Sequence, residues 1–234
     1  MDRPTCAVIG IGPGNGAAIA RRFHAEGYAV AMVSRSAEPM EALAAELGPA
    51  ARAYRADAAD PASLRAALAG AARELGEVDV LVYNAGSGVW GTVEEITPER
   101  FEAAWRVNAL GALVASQQVL PAMKRRGTGA IVLIGATASR RGGPRSAAFS
   151  SAKGAQRSLA ESMARHLWPQ GIHVAVVIID GVVDLPATRA RMPDKPDDFF
   201  VQPDAIAATV LSITRQPRSA WSFEVEARPF GETW

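Results

Sequence analysis

Short apolar runs rich in β-branched residues alternate along the chain with alanine-rich stretches of helical periodicity. The runs are apolar at nearly every position, which is typical of strands covered by helices on both faces and therefore of a parallel sheet. The alternation predicts an α/β fold built on a doubly wound parallel sheet. Strands are predicted at residues 6–9, 28–33, 51–56, 78–83, 130–134 and 173–179, and helices at residues 14–26, 39–47, 61–75, 98–125, 147–168 and 204–214.

The last part of the chain departs from this alternation at two places. Residues 185–203 carry several prolines among Asp and Arg, followed by Phe199 and Phe200. This composition predicts a lid or long loop over a site, or else a surface connection whose phenylalanines cap the core. Residues 221–227 alternate apolar and polar side chains, which predicts a half-exposed edge strand. We expect a neighbouring subunit to cover the aromatic tail, which carries Phe230 and Trp234.

Composition narrows the class of protein. A chain of 234 residues, 49% of them hydrophobic, can bury one large core, and residues 1–234 are expected to form a single domain. The 25 basic and 24 acidic residues are dispersed, which favours a small-molecule ligand over nucleic acid or a membrane. The apolar runs are too short to span a bilayer and the first residues are unlike a signal peptide, so a cytoplasmic location is expected. The single cysteine, Cys6, predicts neither a disulfide nor a cysteine metal site.

A glycine-rich turn follows the first predicted strand. It reads Gly10-Ile11-Gly12-Pro13-Gly14-Asn15-Gly16 and leads directly into an alanine-rich helix. Glycines at Gly10, Gly14 and Gly16 would allow positive φ and let backbone N–H groups approach a pyrophosphate at the positive end of the helix. Between the first strand and first helix of an α/β chain, this turn predicts a dinucleotide site. The alternative is a tight turn without a ligand.

The end of the second predicted strand indicates which dinucleotide is preferred. An NAD site normally offers a carboxylate there, whereas this chain has Ser34 and Arg35. A guanidinium beside hydroxyl groups can bind a 2′-phosphate, so NADP(H) is predicted over NAD(H). The alternative for Arg35 is a solvated strand end. Asp57, after the third strand, is a candidate acceptor for the adenine amino group, or an ordinary turn residue.

Two further motifs complete a family resemblance. Asn84-Ala85-Gly86 follows the fourth predicted strand, and Asn108 lies within the fourth predicted helix. With the glycine turn, they resemble the short-chain dehydrogenase/reductase family over nearly the whole chain, although Ile9 and Tyr83 replace the family's Thr in TGxxxGxG and its first Asn in NNAG. The resemblance implies a Rossmann-type, three-layer α/β/α fold of about seven strands. It also implies a nicotinamide cofactor and a homodimer or homotetramer.

The resemblance breaks at the catalytic positions. The family uses a Tyr-x-x-x-Lys pair and a Ser thirteen residues before the Tyr, with the Lys lowering the pKa of the Tyr and binding the nicotinamide ribose. Here Phe149 stands at the Tyr, Lys153 at the Lys and Ala136 at the Ser, with Thr137 as the nearest hydroxyl. A phenyl ring cannot exchange a proton, and such catalysis is typically worth about 10²–10⁴ in rate, so ordinary carbonyl reduction should be crippled. Asn108 and Lys153 are the catalytic positions that remain.

A second departure follows the sixth predicted strand. The family's Pro-Gly beside the nicotinamide is Asp180-Gly181 here, and its Thr contacting the carboxamide is Leu185. The resemblance makes Gly181 a cofactor-binding position. Asp180 is a candidate replacement acid or counter-ion for a cationic substrate. Equally, it could tie down the loop by accepting backbone N–H groups.

Other residues are weaker candidates. Tyr83 could donate a proton but occupies a structural position of the family. The three histidines lack ligand spacing, so no metal site is predicted. Arg140, Arg141 and Arg145 could face an anionic ligand, or form a solvated basic loop. Ser87 and Trp90 lie where the family builds part of its substrate pocket.

Three functions stay open from the sequence. The first is an NADP(H)-dependent oxidoreductase acting on an imine or activated alkene, which does not need the missing Tyr. The second is a non-catalytic NADP(H)-binding protein, acting as a sensor or as an inactive subunit. The third is a lyase or isomerase on the same scaffold. The retained Asn108 and Lys153 favour the enzyme.

Overall fold

A parallel β-sheet forms the centre of the protein. The computed structural model describes residues 3–231. Its strands are β1 (Thr5–Ile9), β2 (Ala29–Ser34), β3 (Ala51–Arg55), β4 (Val78–Tyr83), β5 (Gly129–Ala136), β6 (Ile172–Ile179), β7 (Val182–Val183), β8 (Phe200–Val201) and β9 (Glu224–Ala227). Within the described residues, seven strands pair in parallel in the order β3-β2-β1-β4-β5-β6-β9, and β7 pairs with β8 in a separate ribbon. The predicted doubly wound sheet of about seven strands is confirmed.

Helices cover both faces of the sheet. They are α1 (Asn15–Ala25), α2 (Ala37–Leu47), α3 (Pro61–Leu75), α4 (Pro98–Trp105), α5 (Gly111–Arg126), α6 (Ala147–Leu167), α7 (Pro186–Arg191) and α8 (Pro203–Thr214). Buried side chains of α1, α2 and α8 pack on one face, and those of α3, α5 and α6 pack on the other. In β1, Cys6 and Val8 face the first layer while Ala7 and Ile9 face the second. Both faces of β1 are therefore buried, which explains why this strand is apolar at nearly every position.

The fourth predicted helix is interrupted. A π-helical turn, Arg106–Leu110, separates α4 from α5. Here the Asn108 amide donates to the Ala104 carbonyl at 2.8 Å, and the Tyr83 hydroxyl donates to the Val107 carbonyl at 2.5 Å. Residues 98–126 are helical, as predicted, and the π-helical turn within them is the feature that the prediction lacks; there the carbonyl groups of Val107 and, one turn earlier, Ala104 accept side-chain hydrogen bonds.

The segment 185–203 has more regular structure than the sequence indicated. It contains α7 and then β8, joined by residues that include a 3₁₀ turn at Asp197–Phe199. The Arg189 guanidinium lies 4.1 Å from the ring centroid of Phe200 and pairs with Asp184 at 2.7 Å. Phe200 is buried, as is Val201, which belongs to the core layer of α1 and α8. The second interpretation, a connection that caps the core, fits these contacts, and the lid stays a prediction.

The edge strand begins later than its alternating pattern predicts. β9 starts at Glu224, because Trp221 instead stacks flat on His173 with ring centroids 4.7 Å apart. Phe230 is 89% exposed, and Trp234 lies outside the described residues. Among residues 3–231, none of the helices has both the length and the apolar character that crossing a bilayer requires.

Candidate cofactor and active site

A cleft of about 800 Å³ lies at the carboxyl ends of the central strands. It opens where the strand order reverses between β1 and β4, the position at which open α/β sheets bind ligands. Three predicted segments line it. These are residues 10–16 of the glycine turn, Ser34 with Arg35 at the end of β2, and Asn84-Ala85-Gly86 after β4.

The glycine turn is shaped by close backbone approaches. Gly10 has φ of +97°, and a Cβ added there would come 2.5 Å from the backbone nitrogen of Ala85. A Cβ on Gly16 would overlap the Gly10 carbonyl oxygen. The Asn84 amide donates to that same oxygen at 2.6 Å and so joins the turn to the end of β4. Only glycine fits at these two positions, and the turn presents its backbone to the cleft.

The far end of the cleft is lined by Arg35, and Arg55 lies next to it. Arg35 is exposed after β2, and the Arg55 Nε donates to its carbonyl at 3.2 Å. Asp57 lines the cleft, and its Oδ1 accepts from the Ala59 N–H at 2.9 Å, which is the turn geometry expected of Asp in a loop. Sequence reasoning missed Arg55. The signal that could have found it is the parallel register, which pairs Arg55 with Ser34.

Lys153 and Asn108 flank the cleft at Gly86. Lys153 is 6% exposed, and its Nζ donates to the Ile134 carbonyl at 2.8 Å and to Gln156 Oε1 at 3.1 Å. Burial lowers the pKa of Lys153 from 10.5 to about 8. A Cβ added to Gly86 would lie 3.7 Å from Lys153 Nζ and 3.4 Å from Asn108 Oδ1. An ammonium has three N–H donors, so among the described residues one is left for a ligand.

The Asn108 amide is fixed at one end only. Its Nδ2 donates to the carbonyls of Ala104 and Ser87 at 2.8 and 3.3 Å. Its Oδ1 is buried and has no hydrogen-bond partner among residues 3–231.

Gln156, the partner of Lys153, was not predicted as a site residue from the sequence. The available signal was a polar residue one helical turn after Lys153, on the same buried face of the helix.

Phe149 lies on α6 one helical turn before Lys153. Its ring contacts the indole of Trp90, with centroids 4.9 Å apart and ring planes tilted by 41°. The segment that carries Trp90 is fastened to the start of α6, because the Gly91 N–H donates to the Arg145 carbonyl at 2.9 Å. Ala136, the last residue of β5, stands where the resemblance expects a serine and has no hydroxyl group. An aromatic pair therefore occupies the position where the resemblance expects a phenol.

Asp180 is enclosed by donors at the end of β6. It is 5% exposed; its Oδ1 accepts from the Thr137 hydroxyl and its Oδ2 lies 2.6 Å from an Arg228 nitrogen. The Arg141 guanidinium is 3.7 Å from Oδ1. The neighbouring Gly181 has φ of +155°, and a Cβ there would come 2.7 Å from the Pro229 ring. Both carboxylate oxygens are thus engaged, as is the hydroxyl nearest to Ala136.

The weaker candidates have contacts of their own. Tyr83 is 1% exposed, and burial raises the pKa of its phenol, which donates to Val107. Arg140 pairs with Glu224 and Glu226, and Arg145 pairs with Glu95, so both guanidinium groups already face carboxylates. Across residues 3–231, no three His, Cys, Asp or Glu side chains gather closely enough to hold a metal ion.

Several known dehydrogenases are similar to this chain. The inactive 2-(S)-hydroxypropyl-CoM dehydrogenase 2 of Xanthobacter autotrophicus is 41% identical over 159 residues, which are 68% of this chain and 69% of that protein. The 2-(R)-hydroxypropyl-CoM dehydrogenase of the same organism is 36% identical over 200 residues, 81% of this chain and 78% of that one. A short-chain dehydrogenase structure from Rhodopseudomonas palustris has a TM-score of 0.84 at 36% identity, covering 97% of this chain and 99% of its own.

A further solved structure carries a cofactor. It is a variant of actinorhodin polyketide ketoreductase with NADPH, with a TM-score of 0.88 at 27% identity and 97% of each chain covered. Residues 4–196 match the model of the short chain dehydrogenase family. The chain therefore belongs to the short-chain dehydrogenase family of oxidoreductases, with a Rossmann-type fold.

Proposed function

We propose that this protein is an NADP(H)-dependent oxidoreductase for an electrophile that does not need a tyrosine proton donor, such as an imine or an activated alkene. The observation that carries the proposal is Phe149, which lies one turn before the buried Lys153 and contacts Trp90. The cofactor-binding side of the site is built, whereas the hydroxyl that protonates a ketone oxygen in this family is missing.

The residues of the cleft fit a nicotinamide dinucleotide. Gly10 and Gly16 present backbone to the space that a pyrophosphate would fill, at the positive end of α1. Lys153 has a spare N–H donor beside Gly86, next to the buried Asn108. These groups are what the hydroxyls of a ribose require.

The preference for NADP(H) over NAD(H) rests on the end of β2. Ser34 and Arg35 place a hydroxyl and a guanidinium group at this end of the cleft, and Arg55 lies next to Arg35. A 2′-phosphate carries close to two negative charges, and guanidinium groups bind it by charge-assisted hydrogen bonds. The NADPH in the related ketoreductase supports this choice.

The chemistry follows from which proton the site can provide. When bound, NADPH supplies a hydride. Lys153 would hold the ribose, and Phe149 and Trp90 place an apolar aromatic pair one helical turn away. An iminium already carries its proton and needs only two electrons and a hydrogen at carbon, and an activated alkene can take its proton from water. Positioning alone can then supply much of the rate.

A second candidate is a non-catalytic NADP(H)-binding protein. The observation that favours it is that the side chains that could donate a proton in place of the missing tyrosine already have partners. The Tyr83 hydroxyl donates into Val107, Thr137 donates to Asp180, and Asp180 pairs with Arg228. In this interpretation Asp180 anchors the loop instead of donating a proton. The similarity to a dehydrogenase named inactive also supports it.

Two further parts of the molecule enter the proposal. Residues 185–203 would act as a lid, since Leu185 already reaches the glycine turn at Gly14. Phe101 and Trp105 of α4 are 42% and 41% exposed, and these aromatic side chains support a homodimer or homotetramer.

The test is a deuterium-transfer experiment. The protein is incubated with NADPH deuterated at the transferred position and a pooled panel of ketones, imines and enones, and products are examined by mass spectrometry. Phe149→Tyr and Phe149→Leu run alongside, because only the first adds a hydroxyl. We expect deuterium in imine or enone products with the native chain, and in ketone products only with Phe149→Tyr. A native chain that labels nothing, beside a Phe149→Tyr variant that labels ketones, would favour the non-catalytic protein.

A further inference from the structure

Gln156 places a buried amide on a face of α6 that is otherwise apolar around Lys153. The residue is 1% exposed, and apart from Lys153 the other buried residues of α6 are alanine, methionine or leucine. Its Oε1 accepts from Lys153 Nζ at 3.1 Å, whereas its Nε2 is buried and has no hydrogen-bond partner within the described part of the chain. A buried donor without an acceptor costs folding free energy, so a glutamine here needs a compensating role.

The ammonium group of Lys153 accounts for the orientation of that amide. Lys153 has N–H donors only, so the oxygen of Gln156 has to face it. Residues three apart on a helix lie on the same face, which brings the two side chains together. The Ile134 carbonyl in β5 is the second acceptor, 2.8 Å from Nζ. Two acceptors of the protein therefore fix two of the three N–H groups.

The third N–H group of Lys153 is left for the cleft. A Cβ added to Gly86, which lines the cleft, would lie 3.7 Å from Nζ. Phe149, one helical turn before Lys153, has a side chain without a polar atom and cannot accept from the ammonium group. Among the residues that the structure describes, Gln156 supplies the one side-chain acceptor for Lys153.

The charge of Lys153 depends on these acceptors. Burial lowers the pKa of Lys153 to about 8, because an apolar interior favours the neutral amine. The ionisable side chains on and beside the elements that pack against α6 engage other groups: Glu99 bonds to Thr97, Arg100 to the Trp90 carbonyl, Arg106 to Glu102, His173 to the Ser222 carbonyl and Asp180 to Arg228. An acceptor at Gln156 favours the ammonium form that burial opposes.

We propose that Gln156 is a positioning residue, which keeps Lys153 charged and holds its third N–H group toward the cleft in a site where Phe149 offers no oxygen. The inference rests on the proposed function in one respect, namely that this N–H group meets the ribose of NADP(H). Gln156 itself lies outside the glycine turn and the other sequence motifs.

The first test follows the titration of Lys153 in the protein without cofactor. The chain has three lysines, of which Lys124 and Lys195 are exposed, so isotopic labelling of the lysine ε carbons gives three NMR signals that Lys124→Arg and Lys195→Arg assign. Gln156→Leu removes the acceptor and should lower the titration midpoint of Lys153 by about one to two pH units, the worth of one hydrogen bond to a charged group. Gln156→Glu adds a carboxylate and should raise that midpoint by about one pH unit or more.

The second test measures the affinity for NADP⁺ by calorimetry. Ser116→Ala is the matched control, because Ser116 is also 1% exposed and its hydroxyl donates within α5, to the Ala112 carbonyl. Gln156→Leu should weaken binding about three- to twentyfold at about pH 7.5, where its Lys153 is largely neutral, and less than about twofold at about pH 5.5. Ser116→Ala should bind like the native chain at both pH values and leave the Lys153 midpoint unmoved.

The opposite directions of the two Gln156 variants separate positioning from packing. A midpoint that moves in neither variant, or in the same direction in both, would overturn the inference and leave Gln156 as a packing residue. Should Gln156→Leu not fold, Gln156→Glu, of the same size, decides alone, and a midpoint that does not rise overturns the inference. A lowered midpoint beside an NADP⁺ affinity with the native pH dependence would overturn the role toward the cleft.

Failure of the proposed function has a different signature. A native chain that does not bind NADP⁺ would refute that function, while the titration of Lys153 would still decide whether Gln156 holds it charged.

Discussion

Removing the charge of Asp180 separates a catalytic role from a structural one. The Asp180 side chain sits at the end of β6, where its backbone N–H donates to the Ala227 carbonyl at 2.9 Å. Its carboxylate Oδ2 lies 2.6 Å from an Arg228 nitrogen, and its Oδ1 accepts a hydrogen bond from the Thr137 hydroxyl. Asp180→Asn keeps the size of the side chain and removes the negative charge that Arg228 faces. If the carboxylate only anchors the loop, Asp180→Asn should lower the stability of the protein and leave hydride transfer unchanged.

The expected size of the effect follows from the burial of the pair. Removing one partner of a buried ion pair costs about 3–5 kcal/mol. The side chains of Arg228 and Asp180 are 15% and 7% exposed, and Arg228 also contacts Glu226, so part of its charge stays compensated. We therefore expect Asp180→Asn to lower the free energy of unfolding by about 2–3 kcal/mol. For a chain of this length, that corresponds to a fall in Tm of about 4–12 °C.

The assay pairs urea unfolding, followed by circular dichroism, with the deuterium-transfer measurement. Arg228→Gln and the Asp180→Asn/Arg228→Gln double variant complete a double-mutant cycle. We expect an interaction free energy of about 1–2 kcal/mol between the two side chains. Transfer by Asp180→Asn should stay within about twofold of the native rate, since no proton is taken from this carboxylate. A variant as stable as the native chain that loses transfer about 100-fold would refute this reasoning and make Asp180 the acid.

Four other outcomes follow from the structure. Arg35→Ser should weaken NADP⁺ binding about tenfold and leave NAD⁺ binding almost unchanged, by calorimetry, because it removes one charge-assisted bond to the 2′-phosphate. Tyr83→Phe should lower unfolding free energy by about 1–3 kcal/mol, since it leaves the Val107 carbonyl without its donor, and should preserve deuterium transfer. Because the pKa of Lys153 is lowered to about 8, affinity for NADP⁺ should fall as pH rises through that value, and Lys153→Met should flatten this dependence. Burial lowers the pKa of His173 below 6.5, so in acid the unfolded chain takes up a proton that the folded chain does not; urea midpoints should fall as pH decreases below about 6.5, and less so in His173→Gln.

The parts of the fold that sequence predicts are those fixed by local physics. A strand buried on both faces has to be apolar throughout, so the runs in β1 and β6 were recognisable without knowing their neighbours. The glycine turn was recognisable for a similar reason. At Gly10 a positive φ and the close approach of Ala85 both exclude a side chain, so the glycine in the sequence already indicates the conformation of the turn.

The parts that sequence could not predict depend on contacts between distant residues. The π-helical turn at Arg106–Leu110 uses a hydroxyl from β4, so nothing in its own pattern marks it. The Asp180 carboxylate is paired with Arg228, 48 residues further along and beyond the edge strand. Whether Asp180 is an acid or an anchor depends on that partner, and only the fold brings the two together.

Two departures from the family's pattern, Phe149 and Asp180, are matched by contacts within the chain. Phe149 packs against the indole of Trp90, and Asp180 is enclosed by Arg228 and Thr137. A site that had merely lost its chemistry would keep holes and unpaired charges where hydroxyls were removed, because no constraint would have refilled them. Lys153, buried and held by Gln156, is costly to keep in an apolar interior unless it has a ligand. The two positions are therefore filled and paired instead of left open, as expected of a site that still binds its dinucleotide, and the deuterium-transfer experiment distinguishes a working oxidoreductase from an inactive binder.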